Sequence, residues 1–167
     1  MSSPPLNVLV LCTGNSCRSI LAEALINHLG QSRLKAWSAG SHPVGQVNPQ
    51  ALATLSRHGW PVEGYASKSW DDLSAVPFDL LITVCDSAAG ETCPAYLAPV
   101  ARGHWGLPDP AAVTGHPERI EAAFESTYAA LEQRITALLA EPLDSLTPVE
   151  RSACINRIGA LAATTPP

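Results

Sequence analysis

Hydrophobic positions follow two different rhythms along this chain. Asn7 to Cys12 is an apolar run rich in Val and Leu, the composition of a parallel strand buried on both faces. A polar loop, Thr13–Arg18, interrupts it. A helical period then sets in, with Ile20, Ala24, Leu25 and Leu29 on one face, and Gly30 is the expected stop. Leu34 to Ser38 predicts a second short strand. Asn48 with Pro49 marks a helix start, with Leu52 and Leu55 as its apolar positions. Phe78 to Val84 predicts a third buried strand and Val100 to Trp105 a weaker fourth. From Pro117 onward, Ile120, Phe124, Leu131, Ile135 and Leu138 form the stripe of a long amphipathic helix.

Strands thus alternate with helices, which predicts an α/β fold: a parallel sheet with helices on both faces. Ligands in such folds bind beyond the carboxyl ends of the strands. Three loops leave those ends, Thr13–Arg18, Asp86–Thr92 and Gly106–Pro110. The first and third carry polar catalytic residue types, and the second is flanked by two cysteines. Residues 1–6 are expected to be a loose, Pro-containing start. Residues 1–140 are read as one domain and 141–167 as a C-terminal extension. In the extension, Thr147-Pro148-Val149-Glu150 has the form of a capping box, followed by a short helix with Ile155, Ile158 and Leu161.

Composition narrows the function classes. A length of 167 residues suits a single core, and 46% hydrophobic against 15% charged residues fits a globular chain. The net charge is −5 with no run of Lys or Arg, so nucleic acid is not an expected partner. An anionic substrate must be captured locally, by a few aimed donors. No apolar run is long enough to cross a bilayer or to form a signal-peptide core, so a cytoplasmic protein without membrane partners is expected. Thiols are kept reduced there, and five cysteines, an odd number, argue against a structural disulfide framework.

The loop after the first strand carries the clearest chemistry. Strand, Gly- and Asn-containing loop, then helix is a way to hold tetrahedral anions on backbone N–H groups and a helix N-terminus. Gly14 and Asn15 tolerate left-handed backbone, and Arg18 adds a planar fork for two oxygens. Cys12 at the strand end would face the same concavity as a stabilised thiolate, with a pKa below that of free cysteine. An isolated Cys at this place is more often core filler; the Cys-x5-Arg-Ser spacing argues against that reading. No Gly-Lys-Ser/Thr follows, so a nucleotide P-loop is disfavoured.

Val10-Leu11-Cys12-Thr13-Gly14-Asn15-Ser16-Cys17-Arg18-Ser19 resembles the signature loop of the low-molecular-weight tyrosine phosphatase superfamily, which holds both phosphatases and one class of arsenate reductases. The resemblance implies a three-layer sandwich around a four-stranded parallel sheet, Cys12 as nucleophile, and Thr13 through Ser19 as the oxyanion loop. Trp105-Gly106-Leu107-Pro108-Asp109-Pro110 resembles the superfamily's acid loop, so Asp109 would protonate the leaving oxygen; composition alone makes it an ordinary turn. Thr83-Val84-Cys85-Asp86-Ser87-Ala88-Ala89-Gly90-Glu91-Thr92-Cys93-Pro94 resembles the redox segment of the reductases. By that likeness Cys12 attacks arsenate, Cys85 attacks the Cys12 adduct, and Cys93 takes over the disulfide. An external thiol reductant then restores it: thioredoxin as the first expectation, glutaredoxin with glutathione or another thiol system as alternatives. Phosphate and sulfate would act as substrate analogues, no cofactor would be tightly bound, and the enzyme would be a monomer.

Some relatives build a potassium site from residues matching Asn15, Glu23 and Ser38. Near Ser67, where a further acidic ligand belongs, this chain has Lys68, whose ammonium can replace the cation, so no metal is expected. Asn15 and Ser19 are expected to shape the loop, Cys17 to pack, and Cys154 to be structural or incidental. Geometry adds a constraint on the redox segment. Eight residue steps of helix rise about 12 Å, whereas a disulfide needs its Cα atoms within roughly 7 Å. The stretch from Cys85 to Cys93 must therefore loop or unwind in the bridged form. Without the resemblance, Cys85 is equally a buried strand-end residue and Cys93 a chance loop thiol, and Cys-x2-Cys zinc spacing is missing. The competing activities are a phosphatase using Cys12, Arg18 and Asp109, and a non-enzymatic oxyanion-binding module. The absence of aromatics after Asp109, where Ala111, Ala112 and Val113 stand, favours a small inorganic substrate over phosphotyrosine.

Overall fold

The computed structural model describes residues 4–90 and 92–161. Parts of the loose start and of the extension's end, and Glu91 of the redox segment, lie outside the described residues. β1 spans Leu6–Leu11, β2 Leu34–Ala39, β3 Leu80–Thr83 and β4 Ala101–His104. They pair in parallel, in the order β2-β1-β3-β4. Successive side chains of a strand point to opposite faces. Val8, Leu9, Val10 and Leu11 of β1 and Leu80, Leu81, Ile82 and Thr83 of β3 are all buried, so helices cover both faces of the sheet. This is the three-layer α/β architecture that the alternating pattern predicts.

The chain runs from β1 outward to β2, then returns across β1 to β3. The loops leaving β1 and β3 therefore part company above adjacent strands, opening a crevice at the switch point. Pairing sets Leu11 opposite Thr83, and the Val84 N–H still bonds the Leu11 carbonyl at 3.0 Å. Cys12 and Cys85 thus emerge side by side although they are 73 positions apart in sequence.

Helix α1 covers Arg18–Gly30, α2 Pro49–Arg57, α3 the single turn Asp86–Ala89, α4 Pro117–Leu139 and α5 Pro148–Gly159. The one-faced reading of α1 needs correction. Ile20, Leu21, Ala22, Ala24, Leu25 and Ile26 are all buried, because the helix lies between the sheet and α4. Gly30 is its last residue rather than its left-handed cap, which is Gln31 with φ of 46°. Gly30 is needed for a different reason: a Cβ there would lie 2.9 Å from the Leu34 Cβ. The starts of α2 and α5 agree with the sequence. Asn48 Oδ1 accepts from the Gln50 N–H at 2.8 Å, and Thr147 and Glu150 form both bonds of a capping box. Leu161 falls beyond α5 and is exposed.

The extension joins the main core. Cys154, Ile155 and Ile158 are buried in the same apolar cluster as the sheet. α5 lies along β4, the edge strand whose outer N–H and C=O groups would otherwise be unpaired. Ser152 Oγ accepts from the Arg102 N–H at 3.0 Å, and Asn156 Oδ1 accepts from the His104 N–H at 3.0 Å. The spacing of four places both side chains on one helix face, matching alternate N–H groups of the strand. Such an approach leaves no room at Gly103, where a Cβ would lie 2.4 Å from Ile155 Cγ2. Gly103→Ala is expected to lower stability by about 1–3 kcal/mol through forced displacement of α5, measured by urea unfolding; an unchanged midpoint would mean that α5 is not seated on β4.

Candidate active site

Cys12 leaves β1 buried, and its N–H still bonds the Ala39 carbonyl at 3.2 Å. The loop then turns through Asn15, which has φ of 48°. Asn rather than Gly14 supplies the left-handed residue, and a hydrogen-bond network holds it there. Asn15 Nδ2 donates to Ser19 Oγ at 2.9 Å and to Ser38 Oγ at 3.0 Å, while its Oδ1 accepts from the Lys68 N–H at 2.9 Å. All three side chains at the centre of this network, Asn15, Ser19 and Ser38, are fully buried. Gly40, which the sequence does not single out, lets the next strand end pass beneath the loop. A Cβ there would meet the Thr13 carbonyl oxygen at 2.4 Å.

Cys12 and Cys85 form a coupled pair. The Cys85 sulfur accepts from the Thr13 N–H at 3.3 Å and lies 3.6 Å from Thr13 Oγ1. A hydrogen bond from the Cys12 thiol to Cys85 is the main cause that lowers the Cys85 pKa to about 5; Thr13 adds to it and burial opposes it. The same bond, reinforced by burial and opposed by Arg18, raises Cys12. This corrects the expectation of a depressed pKa at Cys12. With no anion bound, the pair carries one negative charge, and the donors around it place that charge on Cys85.

Arg18 opens α1 and reaches across the crevice. One guanidinium nitrogen donates to the Leu107 carbonyl at 2.8 Å, and the other lies 3.8 Å from Asp109 Oδ2. Its Nε–H is buried and has no partner among the described residues, an uncompensated donor that an anion would satisfy. Asp109 caps the turn Pro110–Ala112 by accepting from the Ala111 N–H at 3.0 Å. Its Oδ1 also accepts from the Cys17 thiol at 3.6 Å. Burial, then the Asp109 carboxylate, pushes Cys17 up to about 11. Cys17 is thus a neutral donor that steadies the acid loop as well as a packing residue.

A cavity of about 480 Å³ is bounded by Cys12, Arg18, Cys85, Asp86 and Asp109. Cys93 is not on it. Cys93 lines a separate cavity with Ala88, Ala89, Arg102, His104 and Asn156. The single turn α3 stands between the two, with Asp86 and Ser87 on the first and Ala88 and Ala89 on the second. The structure therefore brings together four of the five expected catalytic residues and leaves the fifth behind α3.

Residues 7–147 match the low molecular weight phosphotyrosine protein phosphatase family. The chain belongs to this family. An arsenate reductase of Bacillus subtilis is 36% identical over 115 residues, covering 69% of this chain and 81% of that protein. Among solved structures, an arsenate reductase from Archaeoglobus fulgidus superposes with a TM-score of 0.67 at 28% identity, covering 80% of this chain and 99% of the other. A thioredoxin-dependent arsenate reductase of Corynebacterium glutamicum gives 0.61 at 26% identity, covering 84% of this chain and 66% of the other.

Two further features adjoin the loop and the crevice. Lys68 Nζ lies 3.9 Å from Glu23 Oε1, and Ser38 Oγ donates to the same oxygen at 2.5 Å. Burial raises the Glu23 pKa, opposed by Ser38 and Lys68. An ammonium thus sits beside the carboxylate that supports the loop from below. The second feature escaped the sequence reading: His104 joins Thr83 to Asp86, with Nδ1 2.7 Å from Thr83 Oγ1 and Nε2 2.8 Å from Asp86 Oδ1. Only the parallel register of β3 and β4, which sets Thr83 beside His104, could have revealed it. Ultraviolet titration of thiolate is expected to show one early ionisation near pH 5. The second thiol of the pair should titrate above the ordinary range. Cys12→Ala should move the early midpoint upward; an unmoved midpoint would show that the two sulfurs do not share a proton.

Proposed function

We propose that this protein reduces arsenate to arsenite through Cys12, Cys85 and Cys93. The observation that carries the reading is the Cys12–Cys85 pair: a second, ionised thiol in hydrogen-bond contact with the nucleophile. A phosphatase needs no such thiol, whereas a reductase needs it to attack the Cys12 sulfur, so that the sulfur–arsenic electron pair goes to arsenic and the two sulfurs are left as a disulfide.

Arsenate enters the cavity and its oxygens are held by the Thr13–Ser19 loop and by Arg18, whose free Nε–H gains a partner. The Cys12 sulfur attacks arsenic. Its proton passes by way of the Asp109 carboxylate to one arsenate hydroxyl, which leaves as water, so that Asp109 takes up and returns a single proton. The product is a Cys12 sulfur–arsenic adduct. The Cys85 thiolate then attacks the Cys12 sulfur, the sulfur–arsenic bond breaks, and its electron pair goes to arsenic. Arsenite departs, taking up protons from solvent, and a Cys12–Cys85 disulfide remains. The Cys93 thiolate next attacks the Cys85 sulfur and expels Cys12 as a thiolate. A dithiol reductant of the thioredoxin class reduces the resulting Cys85–Cys93 disulfide, which returns two electrons and closes the cycle. The protein acts as a monomer in the cytoplasm, where such reductants keep thiols reduced.

Arsenite release from arsenate with thioredoxin, thioredoxin reductase and NADPH is the direct test. Wild type should turn over repeatedly. Cys12→Ser should release nothing, Cys85→Ser should stop at the adduct, and Cys93→Ser should lose multiple turnover. Turnover with glutaredoxin and glutathione alone would change the partner and leave the chemistry. Full hydrolysis of a phosphate ester by Cys85→Ser and Cys93→Ser, with no arsenite from wild type, would make the protein a phosphatase.

A further inference from the structure

Helix α5 lies outside the family match, yet it grips the strand that carries His104. The His104 N–H is bound by Asn156 Oδ1 at 3.0 Å, and a Cβ on Gly159 would lie 2.1 Å from the His104 carbonyl oxygen. The neighbouring Trp105 Nε1 donates to the Ile155 carbonyl at 2.9 Å. On its other side the strand is paired with β3. The backbone of His104 is therefore fixed from both directions. Its ring spans from Thr83, the last residue of β3, to Asp86, the first residue of α3. The bonding is consistent in either protonation state. In the neutral ring, Nε2–H donates to Asp86 and Nδ1 accepts from the Thr83 hydroxyl. In the charged ring both nitrogens donate, and the Thr83 hydroxyl turns to the Gly103 carbonyl at 3.5 Å.

Asp86 has no comparable support of its own, since its side chain is 97% exposed. Yet it follows Cys85 directly and begins the turn that separates Cys85 from the cavity of Cys93. Attack of Cys93 on the Cys85 sulfur joins residues that line cavities on opposite sides of this turn, so any movement of α3 that brings them together strains the Asp86–His104 bond.

We propose that His104, clamped by α5, is a positioning residue that holds α3 in place through Asp86, keeping Cys93 apart from Cys85 in the reduced protein. The proposal rests on the reading of Cys85 and Cys93 as the disulfide-forming pair. It gives the extension a role in the reaction: α5 sets how readily the second disulfide forms. His104 touches no reacting atom and acts only through Asp86.

Hydrogen exchange of the reduced, full-length protein tests this without arsenate. The reporters are the Ala89 and Gly90 amides, which bond the Cys85 and Asp86 carbonyls at 3.2 and 3.3 Å. His104→Ala and Asp86→Ala should each speed their exchange roughly three- to tenfold, the range for losing one hydrogen bond to a charged but exposed group. The double variant should add nothing beyond either single one. Asp86→Asn, which keeps an acceptor, should stay close to wild type, and Asn156→Ala should act in the same direction as His104→Ala. Closure of the Cys85–Cys93 bridge by diamide in a Cys12→Ser background should accelerate in step. Unchanged exchange in Asp86→Ala, a surface substitution that leaves folding intact, would overturn the proposal. So would additive effects in the double variant. Failure of wild type to release arsenite, with the exchange pattern intact, would remove the reductase reading and leave His104 as the support of α3.

Discussion

The parallel pairing of β1 with β3 is the constraint on which the site depends. It sets Leu11 against Thr83, so the residues just beyond, Cys12 and Cys85, share one pocket at the switch point of the sheet. Neither thiol is remarkable alone. Placed together under the Thr13 N–H, they divide one proton between them, and the pair gains a stable thiolate. A one-residue slip of either strand would carry its sulfur out of the shared pocket and abolish the pair. The fully buried strands guard against that slip, because a shifted register would move their apolar side chains out of place on both faces.

The proposed anion capture is a local matter in an acidic protein. The chain carries a net charge of −5, so its overall field does not draw anions in. The proposed capture relies instead on aimed donors at the crevice: the loop amides, the start of α1 and Arg18. Arg18 is held by the Leu107 carbonyl and by Asp109, with one buried N–H left over. Holding the fork in place beforehand reduces the ordering needed when substrate arrives. Asn15 does the same for the loop, spending its side-chain amide on Ser19, Ser38 and the Lys68 N–H. The Lys68 ammonium and Ser38 hydroxyl meet at Glu23, so the loop rests on a base of opposite charges.

The extension shows how a short helix can become part of a sheet protein. An edge strand exposes unpaired backbone groups, and α5 covers them with Ser152 and Asn156. Glycines at 103 and 159 permit the close approach, where any larger residue would push helix and strand apart. Because His104 lies on that strand, the same contact that protects the edge also fixes a residue adjoining the redox segment.

The sequence by itself determined the sheet and the order of its strands with helices, and it singled out the Thr13–Ser19 loop and Cys12 as the proposed anion cradle and nucleophile. Those features are local: apolar periodicity, a Cys-x5-Arg-Ser spacing and a capping box at Thr147 all act between near neighbours in the chain. Cys85, Cys93 and Asp109 were legible only through a family likeness, since isolated cysteines and a Pro-Asp-Pro turn carry no distinctive pattern. Other properties depended on long-range packing. Burial on all sides of α1 arises from α4, which lies about a hundred residues away. The location of the thiolate on Cys85 rather than Cys12 follows from a hydrogen bond across two strands. The separation of Cys93 behind α3 and the bridging by His104 follow from the placement of β4 and α5. Each is a relation between groups distant in the chain, and only the fold brings them within the few ångströms at which proton sharing and hydrogen bonding operate.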